Sequence, residues 1–495
     1  MKDPSRLYRW TLLGASLVTV GYLVAAAMRE NYLAQWQQIQ RAYREQLARK
    51  ATDERGREIL DNFRIELKQV SVPALDVVDR CVTCHTGIDD PRMVDVPNPM
   101  RVHPGDILKN HPVDRFGCTI CHHGQGPATN FHDAKADTND VFWDYPLLRA
   151  ELTQSSCLSC HDSERLPPEQ VALLREGMEL YREKSCGSCH KIGGRGGSLS
   201  LALDNEGAKT RHELVMTNLQ PPHTTSRWHL AHFSDPGGVI PNTLMSNPTV
   251  TKHQALALTV YMLSLWQRDV PASYLSPDKI EEKARALHPV PLSGEQVYRQ
   301  YCFGCHGEGT YGGWNKLFKR FIPAVRGSGL LAMATPDYLR TNIAKGRPGT
   351  QMPPWEAGGL QPAEITAVID YLRAAAPAAL PPGPLVARGD AKRGGVLFAQ
   401  NCVGCHGVGG RGGIAPELAN PTFQAAANDG FIVTTIRHGR LGTAMPSFQR
   451  AEAPALSDAE IGDLLAYLRE LGRPGSEAAA KQAKAATAGQ EVRHD

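Results

Sequence analysis

Five residues, Cys-x-x-Cys-His, recur six times in this chain: Cys81, Cys84 and His85; Cys118, Cys121 and His122; Cys157, Cys160 and His161; Cys186, Cys189 and His190; Cys302, Cys305 and His306; and Cys402, Cys405 and His406. All 12 cysteines are consumed by the motif. Two thiols at this spacing, followed at once by an imidazole, suit covalent attachment of c-type haem. The thiols form thioethers to the vinyl groups and the histidine binds the iron. Zinc sites and dithiol redox pairs also use Cys-x-x-Cys, but neither requires a histidine directly after the second cysteine. The expected cofactor set is therefore six covalently attached haem c.

Each iron then needs a sixth ligand. Residues 81–161 carry three attachment sites in a span too short for three separate cytochrome domains, so the haems themselves are expected to form much of that core. His103, His111 and His132 are the candidate distal ligands there, with His123 in reserve because it adjoins His122. Met93 and Met100 lie nearby as rivals. In the C-terminal part the candidates are Met245, Met352 and Met445, whose soft thioether sulfur raises the iron potential. Met352 and Met445 are each followed by proline, whereas Met245 is followed by Ser246-Asn247-Pro248 and competes with Met216, His223, His229 and His232.

The elements that must carry these residues repeat. After residue 165 a helix precedes each attachment site, at 176–184, 294–301 and 394–401. Glycine-rich loops follow the first and third sites at 193–197 and 409–413, then comes a methionine, and an amphipathic helix closes each unit at 253–266, 363–376 and 458–471. That order resembles a class I cytochrome c domain, which implies three tandem all-α units. In that family a proline carbonyl accepts the proximal histidine N–H. Pro416 and Pro323 are placed to do so for His406 and His306, and the His190 unit has no obvious equivalent.

The expected fold is mainly α. It comprises a membrane anchor over 1–28, an amphipathic helical stalk over 29–72 and a trihaem region with little regular structure over 73–165. Cytochrome c domains follow over 166–270, 286–378 and 386–473, then a disordered tail over 474–495. Proline-rich stretches at 165–168, 271–291 and 377–384 serve as linkers. Residues 10–28 are 19 uncharged residues preceded by Lys2, Arg6 and Arg9, which predicts a single anchor with a cytoplasmic N-terminus and periplasmic haem domains. A cleaved signal peptide is the rival reading, since Ala25-Ala26-Ala27 offers a cleavage site. The stalk places Trp36, Tyr43 and Leu47, and then Leu60, Phe63, Leu67 and Val70, at helical spacing, with an interruption expected at Gly56. That stripe fits either the chain's own haem region or a partner helix. The formal net charge of +3 would become more acidic with haem propionates, so nucleic-acid binding is not expected.

The N-terminal third, through Val78-Asp79-Arg80-Cys81, His103-Pro104, His111-Pro112, Phe116-Gly117-Cys118 and Gly124-Gln125-Gly126, resembles membrane-anchored multihaem cytochromes found beside quinol-oxidising cytochrome b-type complexes. The resemblance implies a membrane electron-transfer subunit, with cytochrome b-type or iron–sulfur partners and a periplasmic or membrane acceptor. Electron relay is thus the expected function. The enzymatic alternative, a peroxidase or reductase with one open iron, is disfavoured because six distal ligands are available for six irons. Sensing would need an output domain, and none is visible.

Overall fold

The computed structural model describes residues 4–138, 143–287, 289–374, 376, 386–449 and 455–473. The tail at 474–495 and the linker at 377–384 lie outside the described residues. Helices dominate. Among the described residues one helix, Pro4–Tyr32, is long and apolar enough to cross a membrane. Its 29 residues span about 43 Å at the α-helical rise, more than the roughly 30 Å of a hydrocarbon core. Leu12, Leu17, Val20 and Leu23 are exposed along it.

The stalk differs from the single interrupted helix read from the sequence. The helix Gln35–Lys50 ends at Ala51, and Asp53 starts a new one, Glu54–Asn62, by accepting the Gly56 amide at 2.8 Å. Gly56 therefore sits inside the second helix, where a Cβ would meet Asp53 Oδ1 at 2.5 Å. Beyond Phe63 the chain is extended rather than helical, because side chains claim its backbone groups. Gln40 donates to the Glu66 carbonyl and accepts from its amide, while Thr83 does the same for Lys68. Val70–Val72 then pairs antiparallel with Val77–Asp79. Much of the apolar stripe packs on the chain itself, over residues 93–100. Tyr43 and Leu47 are buried against Met93, Val96 and Met100, with Ile39, Leu60 and Phe63 beside them. Burying a side chain of that size contributes roughly 1.5–3 kcal/mol, so this packing holds the stalk down. Met93 and Met100 belong to this cluster.

Residues 81–135 form helices of only four or five residues, such as Cys81–Cys84, Thr119–His122 and Phe131–Lys135. After residue 170 longer helices appear, and the same contact recurs three times. A glycine of the opening helix abuts the closing helix at Gly177, Gly294 and Gly394. A Cβ there would sit 2.1, 2.0 and 2.0 Å from the carbonyl oxygens of Ala257, Ala367 and Asp463, and 2.8–2.9 Å from the Cβ atoms of Tyr261, Tyr371 and Tyr467. Four residues after each glycine an aromatic ring meets that tyrosine. The pairs are Tyr181–Tyr261, Tyr298–Tyr371 and Phe398–Tyr467, with centroids 5.6, 5.6 and 5.4 Å apart. Only glycine allows the two helices to cross this closely.

These repeats are not purely helical. Lys191–Ile192 pairs with Arg195–Gly196, and Gly313–Asn315 pairs with Arg320–Ile322. The second and third repeats share one continuous core that includes Tyr338, Leu339, Phe431 and Ile432. The stretch at 271–291, expected to be a stiff spacer, holds the helix Pro277–Ala286. It is pinned to the third attachment site: Ser276 donates to the Cys160 carbonyl at 2.7 Å and Arg285 pairs with Asp162 at 2.6 Å.

Candidate haem sites

Each attachment motif folds as one tight turn. The histidine amide donates to the carbonyl of the first cysteine at 2.8 Å for His85, 3.0 Å for His122, His161 and His190, and 2.9 Å for His406, while His306 closes the helix Phe303–His306. This turn brings both thiols and the imidazole to one side, as attachment to a single ring system requires. Burial depresses the pKa of all six of these histidines, favouring the neutral imidazole that can bind a metal.

Second contacts fix the tautomer. A carbonyl can only accept, so His306 donates from Nδ1 to Pro323 at 3.2 Å, and His406 donates to Pro416 at 2.8 Å. His190, for which the sequence offered no proline, donates to Leu201 at 2.9 Å. Any residue has a carbonyl, so only the chain's path could reveal this partner. His161 Nδ1 lies 3.9 Å from the Asp278 carboxylate, supplied by the supposed linker. In His190, His306 and His406 Nε2 thus keeps its lone pair for a metal.

The methionines expected as sixth ligands are presented alike. The amides of Met245, Met352 and Met445 donate to the hydroxyls of Thr243, Thr350 and Thr443 at 3.1, 3.2 and 3.2 Å. In the second and third repeats the threonine hydroxyl also donates to the Arg347 or Arg440 carbonyl, at 2.7 and 2.8 Å. A cavity is walled by Cys302, Cys305, His306 and Met352 together with Val325 and Ile343. Thiols, imidazole, thioether and apolar walls around one space fit a c-type haem. In the first repeat Met245 Sδ lies 3.0 Å from Nε2 of His232, so one of the competitors named above reaches the same point. His229 instead sits 3.7 Å from Glu206.

In the trihaem region Asp79 joins two sites. It is fully buried two residues before Cys81, and it accepts from the amides of Cys118 and Thr119 and from the Thr119 hydroxyl. His103 meets His122 with ring centroids 6.3 Å apart, and His111 meets His161 at 5.9 Å. His132 lies at the surface, its Nδ1 3.4 Å from Asp133 and its Nε2 3.4 Å from the Thr138 hydroxyl. The reserve candidate His123 accepts at Nε2 from Arg268 at 2.8 Å, and burial followed by that guanidinium pushes its pKa down to about 3. Arg268 was not singled out in the sequence. It also donates to the Ile120 carbonyl and lies 3.8 Å over Trp266, tying the first repeat to the trihaem region.

At three of the five junctions between successive attachment sites, residues of or beside the two sites lie against each other, with Asp79 on the Cys118 amide, Ser156 on the Cys121 carbonyl and Ser188 at Gly304. The Cys81 thiol, followed by burial, pushes the pKa of Cys118 up, and burial followed by Cys157 and Cys160 pushes that of Cys121 up. Cys157 packs against the core of the first repeat. Cys189 acts on Cys305 in the same way, where Ser188 faces Gly304.

The profile of cytochrome c oxidase, cbb3-type, subunit III matches residues 289–372 and 389–468, and the cytochrome c profile matches residues 174–266. A cbb3-type cytochrome c oxidase subunit CcoP from Rhodobacter capsulatus is 31% identical over 196 residues, 36% of this chain and 62% of that protein. A FixP subunit from a Bradyrhizobium species is 26% identical over 204 residues, 39% of this chain and 65% of that protein. The chain thus spans less than two thirds of these relatives' own length. The solved reducing HAO-like protein complex of Kuenenia stuttgartiensis aligns at a TM-score of 0.26 with 23% identity, covering 37% of this chain and 97% of that one, a likeness too slight to carry an argument. The six motifs and the profile matches make this a haem-binding, electron-transfer c-type cytochrome with a candidate membrane helix.

Proposed function

We propose that this chain is a membrane-tethered hexahaem cytochrome c that relays electrons on the periplasmic side. In this reading the boundaries are those read from the sequence: anchor, stalk, trihaem region and three cytochrome c units. His85, His122, His161, His190, His306 and His406 are the proximal ligands. Met245, Met352 and Met445 complete the three C-terminal sites, and His103, His111 and His132 complete the trihaem sites. Bound haem would supply reversible one-electron transfer between ferric and ferrous iron. The chain's own residues set where that happens and at what potential.

The packing of attachment sites against one another supports the proposal: Asp79, beside the first site, accepts from the Cys118 amide of the second, Ser156 beside the third donates to the Cys121 carbonyl at 2.8 Å, and Ser188 of the fourth faces Gly304 of the fifth. Imidazole pairs near the anchor and thioether ligands further out make a potential step that runs downhill away from the stalk. Electrons would enter from a quinol-oxidising cytochrome b-type or iron–sulfur partner. The likeness of residues 289–468 to a cbb3-type oxidase subunit favours a membrane oxidase as acceptor.

Solubilising native membranes in mild detergent and identifying what co-purifies tests this reading. A cytochrome b-type, iron–sulfur or oxidase subunit is expected with the chain. Recovery of the chain alone in the soluble fraction would contradict it.

A further inference from the structure

We infer that His103 and His122 face one iron and that His111 and His161 face the next. The loop between the first and second attachment sites would then supply the distal ligands of the second and third haems. This inference rests on the haem reading proposed above and adds to it a pairing and an orientation.

A metal–imidazole bond of roughly 2.0–2.1 Å on each side, plus about 1.1 Å from each nitrogen to its ring centre, puts two trans imidazoles about 6.3 Å apart. The observed separations are 6.3 Å for His103–His122 and 5.9 Å for His111–His161. Edge-on ring contacts of about 4.5–7 Å are common in proteins, so distance alone does not decide the matter.

The tautomers separate His103 and His111 from His123. His103 donates from Nδ1 to the Pro104 carbonyl at 2.9 Å, and His111 donates to the Ile107 carbonyl at 3.1 Å. Each therefore keeps an Nε2 lone pair, the form that binds a metal with its other nitrogen held. By contrast, His123 spends its Nε2 on Arg268. Both paired histidines are also held in place. The His103 amide donates to the Ile88 carbonyl at 2.8 Å, and the Phe116 ring lies 5.1 Å from that of His111.

Orientation supplies the readout. The ring planes cross at 72° in the first pair and 66° in the second. When two axial imidazoles are nearly perpendicular, each ring acts on a different one of the iron's two π-symmetry d orbitals, so these stay close in energy. The ferric ion then keeps its orbital moment and shows a strongly anisotropic low-spin EPR signal. Coplanar rings split the orbitals and give a rhombic signal.

The test is low-temperature EPR on the oxidised full-length protein, alongside His103→Met and His111→Met. Two strongly anisotropic components are expected in the unmodified protein, one lost in each variant and both in the double variant. Loss of rhombic components, or of the same component in both variants, would overturn the pairing while leaving histidine ligation intact. Variants that alter no ferric signal would overturn the ligation itself. Where a variant fails to accumulate, absence of any strongly anisotropic component in the unmodified protein overturns the pairing.

Discussion

Tyr338 and Phe431 stack face to face, with centroids 4.5 Å apart and planes 21° apart. They occupy equivalent places in the second and third repeats, each eight residues before the glycine that opens the methionine turn, Gly346 and Gly439. Around this stack Asn420 donates to the Pro348 carbonyl at 3.0 Å, and a Cβ on Gly329 would meet Leu441 at 2.5 Å. The two repeats are therefore joined through matching surfaces.

That stack is predicted to couple the two repeats energetically. Tyr338→Ala and Phe431→Ala should each cost about 3–5 kcal/mol as large-to-small core changes. In urea unfolding of the full chain, a double-mutant cycle should leave an interaction of about 0.5–1.5 kcal/mol between them. Additive losses would mean that the stack is incidental.

Gly394→Ala should strain the third repeat, because the added Cβ meets the Asp463 carbonyl at 2.0 Å and a helix must move. Overpacking of this kind costs about 1–3 kcal/mol. Gly430→Ala is the control in the same repeat, since its Cβ would meet only Asn428 Oδ1, at 3.4 Å. Equal thermal stability of the two variants would contradict the close crossing.

Arg195 and Glu364 join the first and second repeats at 2.6 Å, with the glutamate side chain fully buried. Burial works against the carboxylate. The Leu292 amide, Arg195 and the Gln361 amide nevertheless hold its pKa below the usual glutamate range. Its contribution is thus complete above roughly pH 4.3, the unfolded value, and is lost as pH falls through the lower folded one. Glu364→Gln should destabilise the protein by about 2–4 kcal/mol at pH 7, the partial exposure of Arg195 moderating the loss. Urea melts at pH 7 and below pH 4 should show the variant losing less stability on acidification than the parent protein.

Thr443→Val removes both the acceptor for the Met445 amide and the donor to the Arg440 carbonyl. A loss of about 1 kcal/mol is expected, seen as earlier thermal loss of the near-infrared sulfur-to-iron band. Thr443→Ser should restore it. Met445→His should abolish that band for one haem and lower its potential on the order of 0.1 V, a fraction of the roughly 0.8 V range set by axial ligation. An unchanged band in Met445→His would exclude this sulfur as a ligand.

Local signals made the attachment turns, the closing helices and the proline carbonyls at Pro323 and Pro416 legible in the sequence. The closing helix Asp458–Leu471 matches its predicted bounds because Ser457 and Glu460 form a capping box there. Contacts across long separations stayed hidden. Asp278 near His161, Arg268 on His123 and Leu201 on His190 are ordinary residues until the chain brings them together. The stalk misled for a related reason. Its apolar spacing continues past Phe63, but Gln40 and Thr83 take up the backbone groups that a helix would need.

The methionine-bearing repeats are predicted to lie at higher potential than the trihaem region. A redox titration of the full-length protein, following the near-infrared sulfur band and the ferric EPR signals together, tests this most directly. As the potential is lowered, the sulfur band should disappear first and the strongly anisotropic signals last. Loss of the anisotropic signals while the sulfur band persists would place the histidine-paired haems at higher potential and contradict the proposed direction of flow.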